Sequence, residues 1–340
     1  MFGLGWLRAL TDARGLLEHA HHGVPRLGEG YTTDDNARAL LYLSLLPEGA
    51  RDEGLVRTYL AFLLHMQKED GRFRNGLTLD GRFEDEGEAE DPTGRAVLAL
   101  AAAQRLPPPY AGPAREALLR ALPALEGFTS LRGRAYALLG LLALPKEPFL
   151  EAAEALGEGL LCAFREAEPA WPYPGPLTYA NHRPVEALYA YGLAFRRQEA
   201  VALARRALAF LKEHYFTPGE EGLFFDPVGN RFMARGRDKP LFDQQPIEAK
   251  CALLAHLRFG ERVLAEVAFL WFHGRNRLRA PLVDAFGPMD GLTPHGPNQN
   301  RGAEALLAYL LAWQALVQGV FPQVDEGVAL GRVFALGGRP

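Results

Sequence analysis

The chain has 340 residues, 48% of them hydrophobic, and its 37 basic and 41 acidic residues give a formal net charge of -4. This length suits one large domain or two ordinary ones, with enough apolar residues for a sizeable core. The small negative charge and the lack of a long basic run argue against binding to nucleic acid or to an anionic membrane, so we expect a neutral or modestly charged ligand.

The first predicted element is an amphipathic helix over residues 4–20. The polar segment 30–40 then enters an almost purely apolar helix. Thr33 is its predicted N-cap, and Asp34 and Asp35 occupy the first turn, where the helix dipole and the free N–H groups favour carboxylates. Because a helix that is apolar on all sides belongs in the interior, its polar start is expected to face a cleft.

The same design, a polar start followed by an apolar helix, recurs five more times along the chain, with amphipathic helices in between. The apolar helices begin near residues 34, 91, 132, 183, 246 and 302. The other amphipathic helices are predicted at 53–66, 114–125, 148–164, 198–214 and 261–272. Turn signals predict short strands at 72–75, 82–84, 223–225 and 231–233.

The spacing of the apolar helices, roughly 40 to 60 residues, is typical of a two-helix repeat with insertions. With residues 4–20 as the sixth outer helix, the count predicts an all-α protein, an (α/α)6 barrel with short β-hairpin insertions, formed by residues 1–340 as a single domain. Its six inner helices would run parallel and bring their polar starts to one cleft. An open solenoid of helix pairs is the alternative, but it has no reason to gather carboxylates at one end.

The two cysteines, Cys162 and Cys251, each lie in an apolar helical segment, which favours reduced core thiols over a disulfide. Arg8, Asp12 and Glu18 interrupt the apolar pattern at the N-terminus, which argues against a signal peptide. No run of 18 uncharged apolar residues indicates a membrane span. We therefore expect a soluble, cytoplasmic protein that does not contact a membrane.

Eight short motifs stand out along the chain. They are GYTTDDNARAL at 30–40, GRFRN at 71–75, EDPTGRA at 90–96, LTY at 177–179, FDQQPIEA at 242–249, DGL at 290–292, NQN at 298–300 and GAE at 302–304. Together they resemble a bacterial family of six-hairpin, glycosidase-like domains that are often fused to a glycosyltransferase. The resemblance covers nearly the whole chain and implies an (α/α)6 toroid that works on carbohydrate. A glycosyltransferase domain is not part of this chain, so a separate glycosyltransferase is an expected candidate partner.

The chain departs from this family pattern at three places. Ala180 follows the LTY motif where the family has an aspartate, and Ala305 follows the GAE motif where the family has a serine. Pro92 and Thr93 replace a Ser-His pair. The missing aspartate at position 180 removes one carboxyl group from the expected cleft.

Glycoside cleavage requires a carboxylic acid of raised pKa and a second, ionised carboxylate. Asp35 and Asp91 are the predicted acid and base, with Asp34 and Glu90 in the same catalytic group. The structural alternative is that each of these carboxylates only caps a helix or interacts with its dipole. Predicted substrate-binding residues are Tyr31, Arg38, Asn75, Arg95, Tyr179, His182, Asp243, Gln244, Gln245, Glu248, Asn300 and Glu304.

These residue types suit an oligosaccharide or a small sugar, because amides and arginines bind hydroxyl groups and aromatic rings stack on sugar rings. The arginines would otherwise form ion pairs between helices, and the aromatic rings would fill gaps between loops. His182 as the base of a sugar epimerase or isomerase is a second hypothesis, and a non-catalytic glycan-binding protein is a third. No cysteine or histidine motif has zinc spacing, and no cofactor is predicted.

Overall fold

A computed structural model describes residues 3–84, 90–144 and 146–320. Twelve α-helices lie within these ranges and make up most of the described chain. In chain order they are α1 (Leu4–Ala9), α2 (Thr33–Ser44), α3 (Glu53–Met66), α4 (Glu90–Ala102), α5 (Pro108–Leu125), α6 (Leu131–Leu141), α7 (Phe149–Arg165), α8 (His182–Ala194), α9 (Gln198–Tyr215), α10 (Pro246–Arg258), α11 (Arg262–Leu270) and α12 (Ala303–Gln318).

The even-numbered helices form a closed inner ring. Each packs against the next even-numbered helix, and α12 packs against α2. The odd-numbered helices lie outside this ring, with α3 against α5, α5 against α7 and α7 against α9. The inner helices are buried along almost their whole length, as their continuous apolar sequences require. The closed ring confirms the predicted (α/α)6 barrel and excludes an open solenoid.

Short antiparallel hairpins connect the helices, as predicted. Strand 222–225 pairs with 216–219, whereas the predicted strand 231–233 contributes only a bridge between Met233 and Leu177. Phe73 and Phe83 also form single bridges. The strands are β1 (Ala20–His21), β2 (Val24–Pro25), β3 (Tyr31–Thr32), β4 (Gly76–Leu77), β5 (Phe216–Gly219), β6 (Gly222–Phe225), β7 (Val283–Asp284), β8 (Gly287–Pro288), β9 (Leu292–Thr293) and β10 (Gly296–Pro297).

The prediction of a helix over residues 4–20 was wrong after Ala9. The Asp12 carboxylate accepts the backbone N–H groups of Arg14 at 2.8 Å and Gly15 at 3.2 Å, which stabilises a turn instead of a helix. Leu16 then donates its N–H to the Asn36 side chain at 2.9 Å. Leu10 and Leu17, which suggested a longer helix, are buried, but they reach the core from an irregular segment.

Three smaller predictions also need correction. The N-cap of α2 is Thr32, whose hydroxyl accepts the Asp35 N–H, and Thr33 is the first helical residue. Helix α5 begins at Pro108 and not at residue 114, because proline is compatible with the first helical turn. Cys251 is buried as expected, but Cys162 is exposed. The single domain over 1–340 stays a prediction, since residues 321–340 lie outside the described part.

Helices α4 and α6 approach each other closely at glycines. A Cβ atom added to Gly94 would lie 2.4 Å from the Gly133 carbonyl oxygen, which is too near for any real contact. We expect Gly94→Ala to lower the free energy of unfolding by about 1–3 kcal/mol, since overpacking outweighs the better helix propensity of alanine. Urea unfolding measures this. Gly5→Ala, where the added Cβ meets open space, is the control, and equal stabilities of both variants would contradict the prediction.

Candidate active site

The N-terminal ends of α10, α12 and α2, neighbours in the inner ring, surround a cavity of about 280 Å³. We call it the carboxyl cavity. Its volume is near the lower end of the range for small-ligand sites. Six predicted site residues line it, together with three polar residues that the sequence did not identify. The predicted ones are Asp34, Asp35, Arg38, Asn75, Gln245 and Glu304, and the additional ones are Glu18, His19 and Asp290.

Asp35 is the most deeply buried carboxyl group of this cavity, with 3% of its surface exposed. One oxygen accepts the Thr32 hydroxyl at 3.0 Å, and the other accepts Arg38 Nη1 at 2.5 Å. Arg38 Nη2 reaches across to Glu304 at 3.0 Å, so it joins α2 to α12. Burial raises the pKa of Asp35 above its usual value even though Arg38 opposes the shift. Asp35 can therefore retain a proton at higher pH than an ordinary aspartate.

Asp34 joins the cavity to the next inner helix. Its carboxylate pairs with the guanidinium of Arg95 on α4, which also lies 4.7 Å from the centre of the Tyr136 ring. The Asn75 side chain accepts the Asp34 N–H at 3.3 Å. Asp34 and Arg95 thus form the ion pair between helices that was the structural alternative for these residues, although Asp34 still lines the cavity.

Glu18 enters the cavity from the loop before β1. Its carbonyl oxygen accepts the Ala303 N–H at 2.9 Å, and its own N–H bonds to Gly30 at 3.0 Å, so its backbone is fixed between the starts of α12 and α2. Burial and the nearby charge of Asp35 raise the pKa of Glu18 to about 7. Sequence reasoning missed this residue because it lay within the predicted N-terminal helix.

Asp290 comes from the loop after β8. It accepts the Gly302 N–H at 2.5 Å, which places a carboxylate at the start of α12. Burial raises its pKa. Residues 290–292 were part of the family resemblance, and that motif was the available signal for Asp290. With Glu18 and Asp35, it gives the carboxyl cavity three acids of raised pKa.

Asp91 lies in a second polar group, at the starts of α4, α6 and α8. Its oxygens accept the hydroxyl groups of Ser130 and Tyr179 at 2.5 and 2.6 Å, and Arg132 donates at 2.8 Å. Burial alone would raise the pKa of Asp91, but these hydrogen bonds and the charge of Arg132 lower it. Asp91 does not line the carboxyl cavity. Glu90 accepts the N–H groups of Thr129 and Ser130 at 2.8 and 2.5 Å.

Glu248 lies in the first turn of α10 and contacts the segment that precedes α8. It is 1% exposed and accepts the Ala180 N–H at 2.5 Å. Burial raises the pKa of Glu248 to about 8, despite the bond from Ala180. Ala180 has a left-handed φ of 51°, a conformation that aspartate tolerates better than alanine. An aspartate at position 180 would therefore lie beside the carboxyl group of Glu248.

The remaining predicted binding residues lie away from the carboxyl cavity. The Tyr31 hydroxyl donates to Asp12 at 2.5 Å, and Asp243 is exposed beside Asn230. The buried Gln244 side chain bonds to Asp226 at 2.8 Å and to Trp271 at 2.9 Å. The Asn300 carbonyl accepts the Asp290 N–H, which holds the loop that carries Asp290. These contacts connect the four residues to neighbouring segments, and their roles in sugar binding stay predictions.

His182 is fully buried at the start of α8. Its ring lies edge-on to Tyr215, with centroids 4.8 Å apart, and 5.7 Å from the ring of His256. Neither His182 nitrogen has a hydrogen-bond partner among the described residues, and burial lowers its pKa strongly, so the ring is neutral. His256 bonds through Nδ1 to Glu261 at 2.7 Å. The two histidines form a pair, but neither lines the carboxyl cavity.

A larger groove of about 630 Å³ lies beside the loop between α7 and α8. Trp171 and Tyr173 contribute to its wall, and Arg235 pairs with Glu168 at its edge. Both aromatic side chains are at most 9% exposed, so they offer little ring surface for stacking. The carboxyl cavity is smaller, but it contains the titratable groups that acid and base chemistry requires.

Within residues 3–84, 90–144 and 146–320, no group of three or more His, Cys, Asp or Glu side chains is placed to hold a metal ion. No helix in this part of the chain combines the length and apolar character needed to cross a bilayer. The carboxyl groups of the carboxyl cavity outnumber its cations, and several of them keep their protons readily.

No protein-family model matches the chain, and a search of curated proteins finds no relative. Solved structures do match over nearly the full length. A sugar epimerase from a ruminal bacterium has a TM-score of 0.66 at 11% identity, covering 94% of this chain and 96% of that one. Cellobiose 2-epimerase from Bacillus thermoamylovorans has 0.67 at 9%, covering 91% and 95%. A GH76 alpha-mannanase from Bacteroides thetaiotaomicron has 0.61 at 11%, covering 98% and 95%. At these identities the likeness establishes the (α/α)6 fold.

Proposed function

We propose that this protein is a carbohydrate-active enzyme, a glycoside hydrolase that cleaves an oligosaccharide at the N-terminal ends of the inner helices. The proposal rests on two buried carboxyl groups at this end of the barrel whose surroundings shift their pKa values in opposite directions. Burial raises the pKa of Asp35, whereas hydrogen bonds and Arg132 lower that of Asp91. Glycoside hydrolysis uses one carboxyl group that donates a proton and one that stays ionised.

In this proposal Asp35 is the acid and Asp91 is the base. Glu18 is a second candidate for the acid, because it lines the same cavity and its pKa is raised to about 7. Asp34 and Glu90 support the site by pairing with Arg95 and by binding the N–H groups that precede α6. Sugar hydroxyls would bind the polar side chains that remain accessible in the cavity. These are Arg38, Asn75, Gln245 and Glu304.

A sugar epimerase or isomerase is the second candidate function. The pair formed by His182 and His256 favours it, because epimerisation moves a proton on and off carbon and histidines serve as general acids and bases. Two of the structures that share the fold are named as epimerases. Both rings are buried, and neither lines the carboxyl cavity. We keep the hydrolase as the main proposal because the carboxyl cavity contains carboxyl groups of raised pKa and neither histidine lines it. The structures that share the fold do not favour either function.

Incubation with a panel of oligosaccharides in D₂O separates these functions. The panel includes cellobiose and α-mannan oligosaccharides, the sugars named for two proteins of the same fold. New reducing ends without deuterium at carbon 2 would support the hydrolase. Deuterium at carbon 2 of an uncleaved sugar would contradict the hydrolase and support the epimerase. A thermal shift without any turnover would favour a glycan-binding protein that works with a separate glycosyltransferase.

A further inference from the structure

A second, much smaller cavity lies on the axis of the barrel. All six inner helices contribute side chains to its wall, and its volume is about 10 Å³. A space of this size holds about one water-sized sphere. The polar residues that line it are Arg38, Arg95, Tyr136, Arg183 and Lys250, and the rest of the wall is apolar. We call it the axial cavity.

The charges around the axial cavity are all positive. Four of its lining residues are cations, and none of them is acidic. Arg38, Arg95 and Arg183 each pair with a carboxylate outside its wall. Lys250 is 2% exposed and has no ion pair or hydrogen bond among the described residues. A buried ammonium group without a partner is strongly unfavourable, so a negative charge beside Lys250 would stabilise the folded protein.

Several buried donors around the same cavity are also unused. Arg38 Nε, Arg95 Nε and Nη2, Arg183 Nε and the Tyr136 hydroxyl lack hydrogen-bond partners among the described residues. The guanidinium carbons of Arg95 and Arg183 lie 4.7 and 5.5 Å from the centre of the Tyr136 ring. Buried polar groups in folded proteins are nearly always hydrogen-bonded. Unpaired donors on residues that line one positively charged space indicate a ligand that accepts hydrogen bonds.

We propose that the axial cavity binds one monatomic anion, chloride, between Lys250, Arg95, Arg183 and the Tyr136 hydroxyl. A water molecule would fill the space, but it would leave the positive charge of Lys250 uncompensated. Phosphate or a sugar phosphate is much too large for the volume, whereas chloride, somewhat larger than a water molecule, requires a small outward shift of the flexible lysine and arginine side chains. Burial and the charges of Arg183, Arg38 and Arg95 lower the pKa of Lys250 to about 8, and an adjacent anion opposes that shift.

The anion would also help to position the carboxyl cavity, because Arg38 lines both cavities. Arg38 and Arg95 pair with Asp35 and Asp34. A chloride ion on the axis would lessen the repulsion between the arginines that hold these carboxylates. The inference goes beyond the proposed function, and its test needs no substrate and no turnover.

Thermal unfolding in sodium chloride and in sodium gluconate at equal ionic strength tests the proposal. We expect chloride to raise the Tm of the wild type by about 3 °C, as a ligand of the folded state does. Lys250→Met keeps the unbranched stem and removes the unpaired charge. It should be at least as stable as the wild type in gluconate and should not respond to chloride. Lys212→Met, which removes an exposed lysine, should keep the response of the wild type.

Crystals grown in chloride provide the second measurement. The anomalous signal of chlorine at long wavelength should show a peak in the axial cavity of the wild type. Equal Tm values in the two salts would overturn the proposal, and so would an unchanged chloride response in Lys250→Met. If Lys250→Met does not fold, a wild-type anomalous map without this peak would overturn the proposal by itself.

Discussion

Asp35→Asn is expected to lower kcat by about 10²–10⁴-fold, the usual contribution of a general acid. Asparagine keeps the shape of the side chain, but it cannot donate the proton that the leaving oxygen needs. Asp91→Asn is expected to reduce kcat by a similar factor, because an amide cannot activate water. The measurement is the rate of release of reducing ends from whichever oligosaccharide the panel identifies. Glu199→Gln, an exposed carboxylate on outer helix α9, is the control and should leave kcat unchanged.

The dependence of the rate on the leaving group distinguishes the general acid from the general base. A substrate with a nitrophenol leaving group needs little protonation, so Asp35→Asn should lose much less activity on it than on a natural oligosaccharide. Asp91→Asn should lose activity equally on both. If Glu18→Gln shows the leaving-group dependence and Asp35→Asn does not, the acid is Glu18. Unchanged turnover in both aspartate variants, with the fold intact by circular dichroism, would remove Asp35 and Asp91 from the mechanism.

The barrel was predictable because its signals are local and repeated. Each inner helix has a polar start and an apolar body that are contiguous in sequence, and the period of the pattern reveals the pairing of inner and outer helices. The first outer helix was the exception. Its apolar spacing is helical, but the Asp12 turn and the bond from Leu16 to Asn36 depend on partners that the spacing does not show.

The site was only partly predictable, because its geometry depends on contacts between distant segments. Asp35 and Asp91 begin their helices in similar motifs, yet their surroundings shift their pKa values in opposite directions. The difference comes from partners on other helices, such as Arg132 for Asp91. Glu18 reaches the cavity through a backbone bond to Ala303, at the other end of the described chain. No local pattern contains that information.

The stability of the folded protein is expected to depend on pH through Glu248. Its pKa is about 8 in the folded protein, against 4.5 for an ordinary glutamate, because burial disfavours the charged form. Below pH 4.5 the Glu248 carboxyl group is protonated in both the folded and the unfolded protein, and its full contribution to stability is present. Between pH 4.5 and 8 the unfolded chain releases this proton first, so the free energy of unfolding falls as pH rises. At 1.36 kcal/mol per pKa unit, the upper limit of the loss is about 5 kcal/mol.

Glu248→Gln should remove this part of the pH dependence, because glutamine is neutral in both states and can still accept the Ala180 N–H. Urea unfolding of both proteins at intervals from pH 4 to pH 8.5 measures the difference. The wild type should lose stability relative to the variant across that range, whereas Glu213→Gln, an exposed change on α9, should run parallel to the wild type. A constant difference between the wild type and Glu248→Gln would mean that Glu248 is ionised inside the barrel. Its carboxylate would then require a positive partner that the bond from Ala180 does not supply.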